Sequence, residues 1–99
     1  MEIVKTGMAG TMESSDIMVT VEPNPEPAIT LYLNSAVEKQ YGNQIRTVIT
    51  RTLQSLGVDQ AIVQANDKGA LDCIIRARVQ TAVLRASDRG QFDWKERER

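Results

Sequence analysis

The sequence predicts an α+β fold: one mixed four-stranded sheet with two helices packed on one face, in the order β-β-β-α-β-α. Three observations carry that prediction. Apolar and polar residues alternate with period two through much of residues 1–34, as half-buried strands require. Apolar side chains then recur at steps of three and four in two stretches, 35–57 and 70–87, the spacing of helices with one buried stripe. Between those stretches lies a short apolar run, 58–65. A strand–helix–strand link of that kind is expected to cross over between parallel strands.

Taken in order, residues 2–9 form a first strand interrupted by Lys5-Thr6-Gly7, and Gly10 to Asp16 reverse the chain. Small, hydroxyl-bearing and acidic residues crowd together in that turn, which is what a solvated reversal favours. Asp16 to Glu22 form a second strand, with Ile17, Val19 and Val21 on one face. Three prolines within Pro23 to Pro27 end it, because proline has no N–H for the ladder. Ala28 to Asn34 resume the alternation, and the short link predicts that the second and third strands pair antiparallel.

The first helix is expected to start at Ser35, with Glu38 three residues on in capping-box spacing, and to end at Gly57. Its stripe is Val37, Tyr41, Ile45, Val48, Ile49, Leu53 and Leu56. Gly42 within it is expected to serve close packing against a neighbouring element. The consecutive Ile62 and Val63 predict a fourth strand buried on both faces. Asn66 or Asp67 caps the second helix, whose inner face is Leu71, Ile74, Ile75, Val79, Ala82, Val83 and Ala86. Asp72 and Arg76, four apart, are placed to pair on its outside. Cys73 is expected as a buried thiol. Residues 88–99 form a charged tail that Phe92 and Trp94 could dock.

Ninety-nine residues suit one hydrophobic core. No run approaches the roughly 20 apolar residues that span a bilayer, and no leader pattern opens the chain. A single cysteine excludes an internal disulfide and fits a cytoplasmic protein. The net charge of −1 conceals an asymmetry. Residues 1–34 hold one basic and five acidic residues, whereas residues 35–99 hold eleven and eight. The acidic part contains the serine turn, so nucleic acid is not an expected partner there. Histidine is absent, which removes the commonest general base and metal ligand. No catalytic residue and no metal site are expected. Ser14 has no histidine to activate it and Cys73 has no cysteine or histidine partner. The chain is expected to present a group on which other proteins act.

Three blocks carry a resemblance. Ala9-Gly10-Thr11-Met12-Glu13-Ser14-Ser15-Asp16 resembles the attachment segment of the acyl carrier protein (gamma) subunit of citrate lyase. Ser35-Ala-Val-Glu-Lys-Gln-Tyr41 is similar to the same family, as is Asp67-Lys-Gly-Ala-Leu-Asp-Cys73 followed by Arg76-Ala77-Arg78. The blocks keep the family's order and similar spacing, and the likeness runs from about residue 8 to residue 87. The resemblance implies a non-catalytic carrier domain over 1–87 in a phosphoprotein. Its covalent cofactor would be 2'-(5''-phosphoribosyl)-3'-dephospho-CoA, joined by a phosphodiester to the serine directly after the glutamate. That serine is Ser14; the residues alone do not separate it from Ser15. The implied partners are the citrate lyase alpha (acyl transferase) and beta (citryl lyase) subunits and a holo-carrier synthase. The implied cycle carries acetyl and citryl thioesters while citrate is cleaved to acetate and oxaloacetate.

Glu13 and Asp16 flank the serine as docking charges or as a plain solvated turn. Arg76 and Arg78 offer contacts to phosphates or to an acidic partner, or simply a solvated helix face. Two other readings stay open: a regulatory or interaction module with an unmodified turn, and the carrier of a related complex such as malonate decarboxylase.

Overall fold

The period-two runs fold into strands β1 (Gly7–Ala9), β2 (Ile17–Glu22) and β3 (Ile29–Ser35). Helix α1 (Glu38–Ser55), strand β4 (Ala61–Asp67) and helix α2 (Asp72–Ala86) follow. These elements come from a computed structural model that describes residues 1–87; the expected tail, with Phe92 and Trp94, lies outside the described residues. The order β-β-β-α-β-α is as the sequence predicts. The sheet order is β1-β2-β4-β3, with β1–β2 and β2–β4 antiparallel and β3–β4 parallel.

The expected pairing of β2 with β3 is therefore corrected: β4 lies between them. The proline-rich linker makes room for it by crossing the start of β4. Asn24 donates from Nδ2 to the carbonyls of Ala28 (2.9 Å) and Ala61 (3.4 Å), and Gln60 Nε2 returns a bond to the Asn24 carbonyl at 2.6 Å. The side chains also favour β4 at the centre. Ala61, Val63 and Ala65 face the core and are buried, as the inner face of a strand flanked on both sides requires. Ile62 is half-buried on the other face, so β4 alternates and is not covered on both sides.

Both helices pack on one face of the sheet, α2 over β1 and β2 and α1 toward β3, and they touch each other. Ile17, Val19, Val21, Ile49, Leu53, Ile75, Val79 and Val83 form the interior between the layers. Gly7 lets α2 approach β1: a Cβ there would lie 2.3 Å from the Ala82 carbonyl oxygen and 2.5 Å from the Ala86 nitrogen. The first strand is shorter than expected because Val4 and Lys5 donate their N–H groups to the Ala86 carbonyl, not to a strand.

Several local expectations are also corrected. Ser35 closes β3 and does not cap α1, which begins at Glu38 without a side-chain cap. Its hydroxyl accepts from the Val37 N–H (3.1 Å) and donates to Asp67 Oδ2 (2.8 Å). Asp67 is buried, and it holds the turn before α2 by accepting from the N–H groups of Gly69 (3.0 Å) and Ala70 (2.9 Å). Tyr41 and Leu71, assigned to inner faces, stand in solvent. So does Cys73, which is not a buried thiol. Asp72 accepts from Gln44 Nε2 on α1, so its bond runs between helices and not along α2 to Arg76. Gly42 is buried, yet the atoms that a Cβ there would meet belong to Glu38 of its own helix.

Candidate functional site: a serine turn bolted to a helix

The site is built at one end of the sheet. Ile17, Asp67 and Ser35 share one register row across β2, β4 and β3. Strand β2 begins there, β4 and β3 end there, and both helices start within a few residues beyond. The positive ends of two helix dipoles thus open toward the end that carries the turn between β1 and β2.

That turn is a tight reversal over Glu13–Asp16, closed by the Asp16 N–H donating to the Glu13 carbonyl at 3.2 Å. Ser14 and Ser15 are the two corner residues. Ser15 takes the left-handed conformation, φ 66°, which an L-residue adopts only at a cost. Two main-chain bonds secure it to the β4–α2 turn. The Ser15 N–H donates to the Lys68 carbonyl at 2.8 Å, and the Lys68 N–H donates to the Asp16 carbonyl at 2.9 Å. Glycine is required at the base. Gly10 has φ +104°, and a Cβ there would lie 1.8 Å from the Ile17 carbonyl oxygen.

Asp16 is the centre of the side-chain network. Arg78, on α2, donates from Nε to Oδ1 at 3.0 Å and from Nη2 to Oδ2 at 2.8 Å. A two-point contact of this kind fixes orientation as well as position. Thr11 Oγ1 donates to Oδ2 at 2.7 Å, and the Ile17 N–H donates to Oδ1 at 2.7 Å. The Arg78 guanidinium, then the Thr11 hydroxyl and the Ile17 N–H, hold the Asp16 carboxyl well below the usual carboxylate range, and Arg78 is raised in return. Thr11 also accepts from the Glu13 N–H at 3.2 Å, so one hydroxyl links the carboxylate to the turn.

Of the residues singled out in the sequence, Ser14 and Glu13 are exposed on this turn. The Ser14 hydroxyl makes no hydrogen bond to any described residue. Asp16 and Arg78 come together across 62 positions of sequence, whereas Arg76 points into solvent elsewhere on α2. Thr11, Lys68 and Asp67 were not singled out as site residues. Thr11 belongs to the same short block as Ser14, but a threonine in a turn carries no signal of which carboxylate it will meet. Beside the site, Val37, Tyr41, Gly69, Leu71 and Cys73 help to line an open apolar cleft of about 560 Å³ between the two helix starts. The cleft shares the Lys68–Gly69 turn with the serine loop.

Residues 4–86 match a family model described as "ACP: Malonate decarboxylase delta subunit (MdcD)". The citrate lyase acyl carrier protein of Streptococcus mutans is 58% identical over 96 residues, spanning 97% of this chain and 94% of that protein. The protein of the same name from Streptococcus pyogenes is 56% identical over the same shares. Among solved structures, a chain in the crystal structure of a Pseudomonas malonate decarboxylase hetero-tetramer in complex with malonate superposes with a TM-score of 0.71. The match covers 88% of this chain and 93% of that one at 15% identity, a likeness of fold. With an exposed serine turn at one end of a matching fold, and with this identity along nearly its whole length, the chain belongs to the citrate lyase acyl carrier protein family.

Proposed function

We propose that this chain is the acyl carrier subunit of citrate lyase and that Ser14 is joined by a phosphodiester to a phosphoribosyl-dephospho-CoA arm. One observation carries the choice of serine: Ser14 is the exposed turn corner that stands directly after Glu13, the place the family's attachment serine takes. Ser15 is also exposed and neither hydroxyl bonds a described residue; Ser15 differs in its left-handed main chain, whose N–H donates to the Lys68 carbonyl. The surroundings fit such a group. Nothing in the turn shields the hydroxyl, and two helix N-termini open toward this end, where a phosphodiester's charge is favoured.

When bound, the arm supplies a thiol that carries acyl groups between active sites. The residues of this chain do the holding. Gly10, Thr11, Asp16 and Arg78 set the turn, and Ser14 provides the anchoring oxygen. Glu13 and Arg76, both exposed, remain available to dock the holo-carrier synthase and the alpha and beta subunits in the cytoplasm. Asp16 and Arg78 spend their charge on each other, so their part in docking is to hold Glu13 and Ser14 in place.

The test is intact mass after co-expression with the modifying enzymes. Wild type and Ser15→Ala should gain the mass of the arm and Ser14→Ala should not. A full mass gain on Ser14→Ala would sink the assignment.

A further inference from the structure

The two edges of the sheet are treated differently. The β1 edge is three residues long, and Arg85 Nη1 donates to the Met8 carbonyl there at 2.7 Å. The β3 edge is seven residues long, Ile-Thr-Leu-Tyr-Leu-Asn-Ser, with no charge, no proline and an unbroken register against β4. Proteins that keep an edge strand solitary shorten it, charge it, bulge it or cover it. Among the described residues β3 shows none of these devices.

The direction of its free hydrogen-bonding groups follows from two contacts. The Ala61 N–H donates to the Ala28 carbonyl, and the Ala36 N–H donates to the Asp67 carbonyl. Strand residues alternate, so the even-numbered members of β3 point their main-chain groups at β4. Ile29, Leu31 and Leu33 therefore point theirs outward. Their side chains lie on the helix side, packed against the core yet only partly buried. An open ladder and an incompletely covered apolar flank thus coincide on the same three residues.

We propose that β3 is an association edge whose occupant is β3 of a second copy, paired antiparallel about a two-fold axis at Leu31. In that register Leu31 faces Leu31 of the other copy as a hydrogen-bonded pair, and Ile29 faces Leu33. Thr30 then faces Tyr32 as a close non-hydrogen-bonded pair. The arrangement is self-complementary, as an interface made twice by one surface must be. No like charges meet within the paired strands, and the chain's net charge of −1 opposes association little. The result is one continuous eight-stranded sheet, with both serine turns left free at the β2 starts.

Sedimentation velocity on the full chain, from about 10 µM to about 1 mM, reads the association directly. Such an edge should give a concentration-dependent monomer–dimer equilibrium over that range. Leu31→Pro removes an outward N–H that makes no ladder bond within the chain, so it should abolish dimers. A second measurement does not depend on that variant folding. In a Cys73→Ser background, Thr30→Cys/Tyr32→Cys should form disulfide-linked dimers with oxidised glutathione, because paired Cα atoms at about 4.5 Å lie within bridging range. Tyr32→Cys/Asn34→Cys, whose partners fall opposite unsubstituted positions, should not. Monomer throughout would overturn the proposal and leave the edge to a partner subunit's strand. Dimers without the 30–32 link would overturn it in favour of another surface.

Discussion

Gly10→Ala separates two demands that the serine turn makes on its base. The first is conformational. A side chain at φ +104° costs about 1–3 kcal/mol, against which the stiffer unfolded chain returns roughly 0.4–1 kcal/mol. The second is steric. The new Cβ would stand 1.8 Å from the Ile17 carbonyl oxygen and 2.8 Å from its carbon. Main-chain atoms cannot swing aside as a side-chain tip can, so β2 must shift, at about 1–3 kcal/mol. Gly69→Ala provides the control: φ is +91° and nothing lies within 4 Å of the added carbon. It makes the first demand and not the second. The difference between the two variants should therefore be about 2 kcal/mol, or about 8–16 °C in Tm for a domain of this size. The assay is thermal unfolding followed by circular dichroism, with both variants in one buffer. Equal losses in the two would show that crowding against β2 contributes nothing.

Other outcomes follow from the same packing. Ile75→Ala should lower stability by about 2–5 kcal/mol, because Ile75 is fully buried between α2 and the sheet; urea melts with an unchanged m-value read this. Asp16→Asn should weaken the two-point contact with Arg78 and flatten the acid limb of stability. The Asp16 pKa is depressed in the fold, so its contribution is present above the unfolded value of about 4 and is lost as pH falls below it. Wild type should therefore lose more Tm than the variant between about pH 5 and pH 2, and parallel limbs would contradict the clamp. Cys73 stands in solvent, so iodoacetamide should label it in the native protein at a rate close to that in denaturant. Strong native protection would contradict the exposed placement.

The elements were legible because their periods are clean: β2 reads apolar at every second position, and α1 carries Ile45, Ile49 and Leu53 at four-residue steps. The strand order was not. A short linker favours pairing β2 with β3 only if nothing else competes for the slot, and β4 arrives 26 residues after β3 ends. Ser35 misled for a related reason. A serine three residues before a glutamate caps a helix when its hydroxyl is free, but this one is drawn to the buried carboxylate of Asp67 on the adjacent strand. In the site, Ser14 stood out through its local block. The pairing of Asp16 with Arg78 did not, because no local spacing links positions 62 apart; only the docking of α2 beside β2 brings them together.

The clamp also decides where motion can occur. A loop free to wander would place whatever hangs from it in a broad cloud, and each wandering residue would add to the volume searched. Here the turn is fastened at its base by Gly10 packing, on its flank by the Lys68 bonds and from below by Arg78. A group joined to Ser14, as proposed above, would therefore swing from a fixed pivot, like a crane jib from a bolted mast. Its reach is set by its own length, and its effective concentration at an active site depends on how a partner seats the rigid body. Loosening Asp16 or Arg78 would leave the tether as long as before and make it less often on target.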